Sequence, residues 1–201
     1  MKALSVFGAA IAVLAGAGLA QAAPAHKSYG FVVSAADGTE IPGAWTAITR
    51  TDSGYTFQLH TSGLPAGHAV TDWQVVFNNA AACAVPFECS EADSENPATA
   101  SSVFYGTGRV IGPDGTGNYG GHVAIGRTDR QGNLPQEQQL LFGPGLTNPR
   151  GAEIIQVMHD HGPAIPGLLD EEIHSFGIGC SNLPPFTGSY ECVDLQFGIT
   201  P

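Results

Sequence analysis

A chain of 201 residues has room for one domain with a sizeable core, or at most two small ones. Charged residues make up 12% of it, about half the usual share, and the formal net charge is −11. Seven lysines and arginines against 18 acidic residues neutralise few phosphates, which argues against a nucleic-acid partner.

Residues 1–22 read as a signal peptide. Lys2 supplies the positive start, Ala3 to Ala20 is an uncharged apolar run, and small residues follow. Cleavage after Ala22 leaves Ala23 first; cleavage after Ala25 leaves His26 first, whose amine and imidazole would then suit copper. No later stretch is apolar enough to span a bilayer, so no membrane anchor remains and the product is periplasmic or secreted. Residues 23–201 then form a single domain.

Eight short apolar or alternating runs follow, separated by turn residues. They are Tyr29–Ser34, Ala44–Arg50, Tyr55–Thr61, Val70–Phe77, Val103–Ile111, Asn118–Arg127, Ile154–His161 and Cys192–Ile199. β-branched and aromatic residues with turn signals between them predict strands, hence an all-β sandwich or barrel. Val103–Ile111 and Asn118–Arg127, joined across Pro113-Asp114-Gly115, are the best hairpin candidate. Gln136–Leu141 and Gly167–Ser175 read as a short helix or turn each. The polar insertion from Cys83 to Ser101 reads as a mobile loop. Trp45 and Trp73 sit in apolar runs and are expected in the core.

Four cysteines, Cys83, Cys89, Cys180 and Cys192, all lie past the signal segment. An even number in an exported chain predicts two disulfides. Short loops close most easily, which favours Cys83–Cys89 and Cys180–Cys192. The spacing fits no C-x2-C zinc motif.

His159 and His161 stand two apart. On a strand they share a face, the natural start of a copper or zinc site. His174 follows 13 residues later, after Asp170, Glu171 and Glu172, and is the candidate third ligand. His60 or His68 offers a ligand from a neighbouring strand, and His26 joins only as a new N-terminus. The competing reading is that the pair only hydrogen-bonds the Gly162-Pro163 turn. No catalytic residue is assigned. There is no G-x-S-x-G, P-loop or dinucleotide fingerprint. Asp72, Glu153 and the 170–172 carboxylates would act only if the fold gathered them, and Glu153 is more simply an ion-pair partner of Arg150.

The stretch Met158-His159-Asp160-His161-Gly162-Pro163-Ala164 resembles the HIHGPA signature of CHRD domains, the repeats described in chordin. The blocks Trp73–Asn79, Asn148–Glu153 and Cys192–Phe197 are similar to those of a group of secreted bacterial proteins without an assigned function. The resemblance implies a Greek-key, Ig-like antiparallel β-sandwich with long loops, and no established catalysis. The insertion around Cys83 and Cys89, and the paired cysteines, depart from the CHRD pattern. The expected function is a non-enzymatic binding or structural module for an extracytoplasmic partner or matrix. The alternative is copper or zinc binding by His159, His161 and His174, or, less favoured, a metal-dependent enzyme.

Overall fold

The computed structural model describes residues 23–127 and 140–200. The expected signal peptide and most of the Gln136–Leu141 segment lie outside these residues. All eight expected runs are strands: β1 (His26–Ser34), β2 (Trp45–Thr51), β3 (Gly54–Thr61), β4 (His68–Phe77), β5 (Ser101–Val110), β6 (Gly117–Ala124), β8 (Glu153–Pro163) and β9 (Val193–Thr200). Among the described residues, the one strand not expected is the short β7 (Leu140–Phe142), which pairs with β5. The 167–175 segment contains a single helical turn, α1 (Leu169–Glu172).

All strand pairings are antiparallel, in the order β6-β3-β2-β1-β9-β8-β4-β5-β7. The sheet curls on itself through β1. Its first half, His26 to Gly30, pairs with β2, and its second half, Phe31 to Ser34, pairs with β9. Two layers result, and the core lies between them. Tyr55 and Phe57 of β3 and Val123 of β6 pack against Val76 of β4, Phe104 of β5 and Ile154 of β8. The all-β expectation is met.

The expected β5–β6 hairpin does not form. β5 pairs with β4 and β7, whereas β6 pairs with β3 in the other layer. The link after β5 instead runs beside the link after β3. Gly115 O accepts from Leu64 N at 3.0 Å, and Ile111 O accepts from Gly67 N at 2.9 Å. Both links carry the chain between layers, so each satisfies backbone groups of the other.

The expected mobile loop is a built structure. Residues 80–99 contain three short 3-10 segments around the buried Asp93. Its carboxylate accepts from Ala84 N, Ser90 N and Ser90 Oγ, at 2.7 to 2.8 Å. Trp73 is buried as expected, but Trp45 is 40% exposed on β2, near His60. Arg150 does not pair with Glu153. It binds Asp52 and the carbonyls of Ala23 and Pro24, while Glu153 accepts from Cys89 N.

Candidate functional site

β4 and β8 lie side by side in the middle of one layer, and most of their residues are buried, with Val75 and Ile155 half-buried on the outer face. Alternation along β8 sends Ile154, Gln156 and Met158 toward the core. It sends Val157, His159 and His161 to the outer face. Two chain excursions cover that face: the 80–99 insertion at one end and residues 164–192 at the other.

Strand register assembles the surroundings of the two histidines. His159 lies opposite Thr71 on β4 and opposite Asp194 on β9. The register of β8 on β9 shifts between Met158 and His159, and this irregularity aligns Asp194 with His159. The Asp194 carboxylate accepts from His159 Nδ1 at 2.6 Å. The Phe176 ring stacks on the imidazole with centroids 4.5 Å apart. His159 is 3% exposed, and its Nε2 has no hydrogen-bond partner.

His161 is satisfied at both nitrogens. Nδ1–H donates to Ile178 O at 2.7 Å, so Nε2 accepts from the Thr71 hydroxyl at 2.9 Å. Thr71 Oγ1 in turn accepts from Trp73 Nε1 at 2.9 Å. Burial, with the His159 ring beside it, lowers the His161 pKa to about 4, so the ring is neutral at neutral pH.

Both expected disulfides are present, Cys83–Cys89 and Cys180–Cys192. The second lies against the histidine pair. His159, His161, Cys180 and Cys192 each offer one ligand atom, and these four atoms all lie within 4.8 Å of one another. Among the described residues this is the one such group of three or more histidines, cysteines and carboxylates.

His174 is not part of it. Its Nδ1 donates to Asp170 O at 2.6 Å, and its ring leans on Tyr105. Its bond to Asp170 and its contact with Tyr105 hold it away from the pair, and Phe176 takes the place against His159 instead. His26 is exposed at the start of β1. His60 binds Asn118 in the other layer. His68 donates to the buried Asp160 at 3.0 Å and also stays out of the cluster. Asp72, Glu153 and the 170–172 carboxylates do not converge on it either. Ser175 is buried, and its Oγ accepts from Ile178 N, so it is no exposed nucleophile.

The Gly162-Pro163 turn after the histidine pair has its own cause. Asp160 accepts from His68, from Tyr190 Oη at 2.8 Å and from Gly162 N at 2.9 Å. Gly162 has φ +87°, and an added Cβ there would sit 2.3 Å from Tyr190 Cγ. Only glycine meets both demands.

Between the two excursions a cleft of about 390 Å3 opens onto the outer face. Its floor is Trp73, Val75, Val103, Ile155, Val157 and Phe197. Phe176 and Asp194 bound it on the histidine side, and Ser90, Glu91 and Ser94 on the other. Asp194 lies in the Cys192–Phe197 block, and Trp73 and Val75 in the Trp73–Asn79 block, but nothing in the sequence singled out Asp194, Thr71 or Phe176 as site residues or the blocks as walls of a cleft. Each enters through cross-strand neighbours or loop closure.

No family model matches the chain, and no curated protein or solved structure matches it significantly.

Proposed function

We propose that the chain is an exported, non-enzymatic binding module of the kind that the CHRD resemblance implies. Its ligand is a neutral or cationic apolar small molecule held in the cleft on the outer face of β4, β8 and β9. The carrying observation is that this sheet face stays open between two ordered excursions, as an apolar cleft of about 390 Å3. Small-molecule sites have volumes of roughly 300–1,000 Å3 and mostly apolar walls. Glu91 and Asp194 are the charged residues that line it, and both disfavour an anionic ligand. Two disulfides, and the lack of any described helix long and apolar enough to cross a membrane, are compatible with export.

Titration with a neutral apolar dye tests this reading. One dye per chain should bind saturably and change the emission of Trp73. Ile155→Trp fills the floor and should weaken binding at least tenfold with the fold intact. An anionic dye of similar size should bind more weakly. Binding that is unsaturable, or indifferent to Ile155→Trp, would sink it.

A copper or zinc ion held by His159 and His161 is the second reading. It is favoured by the unpartnered Nε2 of the buried His159. Replacing both histidines by alanine should then abolish metal retention.

A further inference from the structure

We infer that His159, His161, Cys180 and Cys192 have a second state, in which two thiolates and two imidazoles hold one zinc ion where the disulfide otherwise stands. The inference rests on the reading of His159 and His161 as metal ligands. It goes further by giving the remaining two positions to sulfur instead of to His174.

The distances fit. The four ligand atoms lie within 4.8 Å of one another, and Cys180 Sγ is 3.9 Å from His161 Nδ1. Tetrahedral zinc, with bonds of about 2.0 Å to nitrogen and 2.3 Å to sulfur, needs its ligand atoms about 3.3–3.8 Å apart. The two sulfurs, bonded to each other in the disulfide, therefore part to about 3.8 Å as the bond opens, while the imidazoles close in slightly. Two imidazoles and two thiolates are a ligand set that zinc favours.

The surroundings fit as well. The Nδ1 of His159 is committed to Asp194, which leaves the unpartnered Nε2 to ligate. A carboxylate behind a ligating imidazole fixes its tautomer and raises its basicity. At His161 the single ring proton shifts from Nδ1 to Nε2, which frees Nδ1 to ligate and leaves Ile178 O without its bond, and Nε2–H then donates to Thr71 Oγ1. Thr71 can turn its own proton to His159 O, already 3.4 Å away. Both histidines therefore have an outer partner on the sheet for the metal-bound state.

The chemistry balances. Each cysteine is synthesised as a thiol. The thiol pair and Zn2+ give the zinc dithiolate and release two protons. A partner disulfide then takes two electrons from the two thiolates and, with two protons, leaves as a dithiol. The Cys180–Cys192 bond forms, and the zinc is left with two imidazoles and departs. The reverse requires a dithiol reductant. All four residues are at most 4% exposed. Zinc therefore enters while residues 164–192 are still open, during folding.

The test uses the full exported chain with Cys83→Ser and Cys89→Ser, so that every thiol signal belongs to Cys180 and Cys192. It is refolded in a phosphine reductant with and without Zn2+, then gel-filtered. One zinc per chain should be retained, and alkylation of both thiols should slow at least tenfold. Adding oxidised glutathione should release the zinc. Asp194→Asn should weaken zinc binding about tenfold or more and leave the oxidised fold unchanged. Should the reduced chain fold only with zinc, that supports the site, because such ions contribute folding energy. A reduced chain that stays unfolded in excess zinc overturns it. So does one that folds, retains no zinc and alkylates at the same rate either way. If instead the oxidised chain binds one zinc, lost in His159→Gln/His161→Gln and unchanged on reduction, the histidine reading stands and the thiol state falls. If neither form binds, both fall.

Discussion

Asp72 is a carboxylate that folding takes wholly out of water. It points from β4 into the core, fully buried, where Gln74 Nε2 donates to both its oxygens. Burial raises its pKa well above the usual value, against the opposing pull of the neighbouring Gln156 and Gln74 amides. An unfolded aspartate titrates near 3.9. As pH rises past about 4, the unfolded state loses this proton first, and stability falls until the folded pKa is reached. Asp72→Asn removes that dependence. At pH 7 it should stabilise by on the order of 1 kcal/mol or more, roughly 2–4 °C in Tm. At pH 4 the gain should vanish. Thermal melts at the two pH values check this, and a variant equally destabilised at both would refute it. The acid between His159 and His161, Asp160, is buried as well. Asp160 is held by three donors, so the middle residue of the histidine stretch secures the Tyr190 loop while its neighbours face outward.

At the scale of elements, the 80–99 insertion depends on one residue. Asp93 caps its own 3-10 segment by accepting from Ser90 and also reaches back to Ala84. Thr99 Oγ1 donates to Asp93 O and closes the far end. Asp93→Ala removes three accepted hydrogen bonds at once. Amide exchange over residues 84–99 should quicken by at least tenfold, with β4 and β5 still protected. Unchanged exchange there would mean that Cys83–Cys89 and its apolar neighbours hold the insertion alone. This wall bounds the cleft, so the same variant should also loosen binding of the apolar dye. The composition of the insertion, polar and acidic, reads as a solvated loop. Its order comes from a carboxylate turned inward, which no local pattern distinguishes from one turned out.

At the scale of the molecule, the two layers meet at Phe57. A Cβ added to Gly106 of β5 would lie 3.0 Å from its ring, and one added to Gly121 of β6 would lie 2.7 Å from it. Glycines on both strands thus make room for one aromatic ring between layers. Phe57→Ala should cost roughly 3–5 kcal/mol. Because the ring touches both layers, near-UV and far-UV signals should still fall in one transition during urea unfolding. A cost below about 1 kcal/mol would show that the site repacks and does not couple the layers.

The residue order by itself determined the eight long strands, since period-two alternation and turn residues are local signals. It determined both disulfides, since short loops close readily, and the shared face of His159 and His161, since side chains alternate. Only the tertiary structure decided that β5 and β6 part company, because each link between layers finds its hydrogen bonds in the other link. The tertiary structure alone turned Trp45 outward, kept His174 with Asp170 and left the outer sheet face open as a cleft. It also brought Asp194, Thr71 and the Cys180–Cys192 pair to the histidines. Those meetings depend on strand register and on the closure of a loop of nearly thirty residues, 164–192. Register depends on the hydrophobic patterns of both partner strands together, and here also on the irregularity between Met158 and His159, so the spacing of residues within one segment does not fix it.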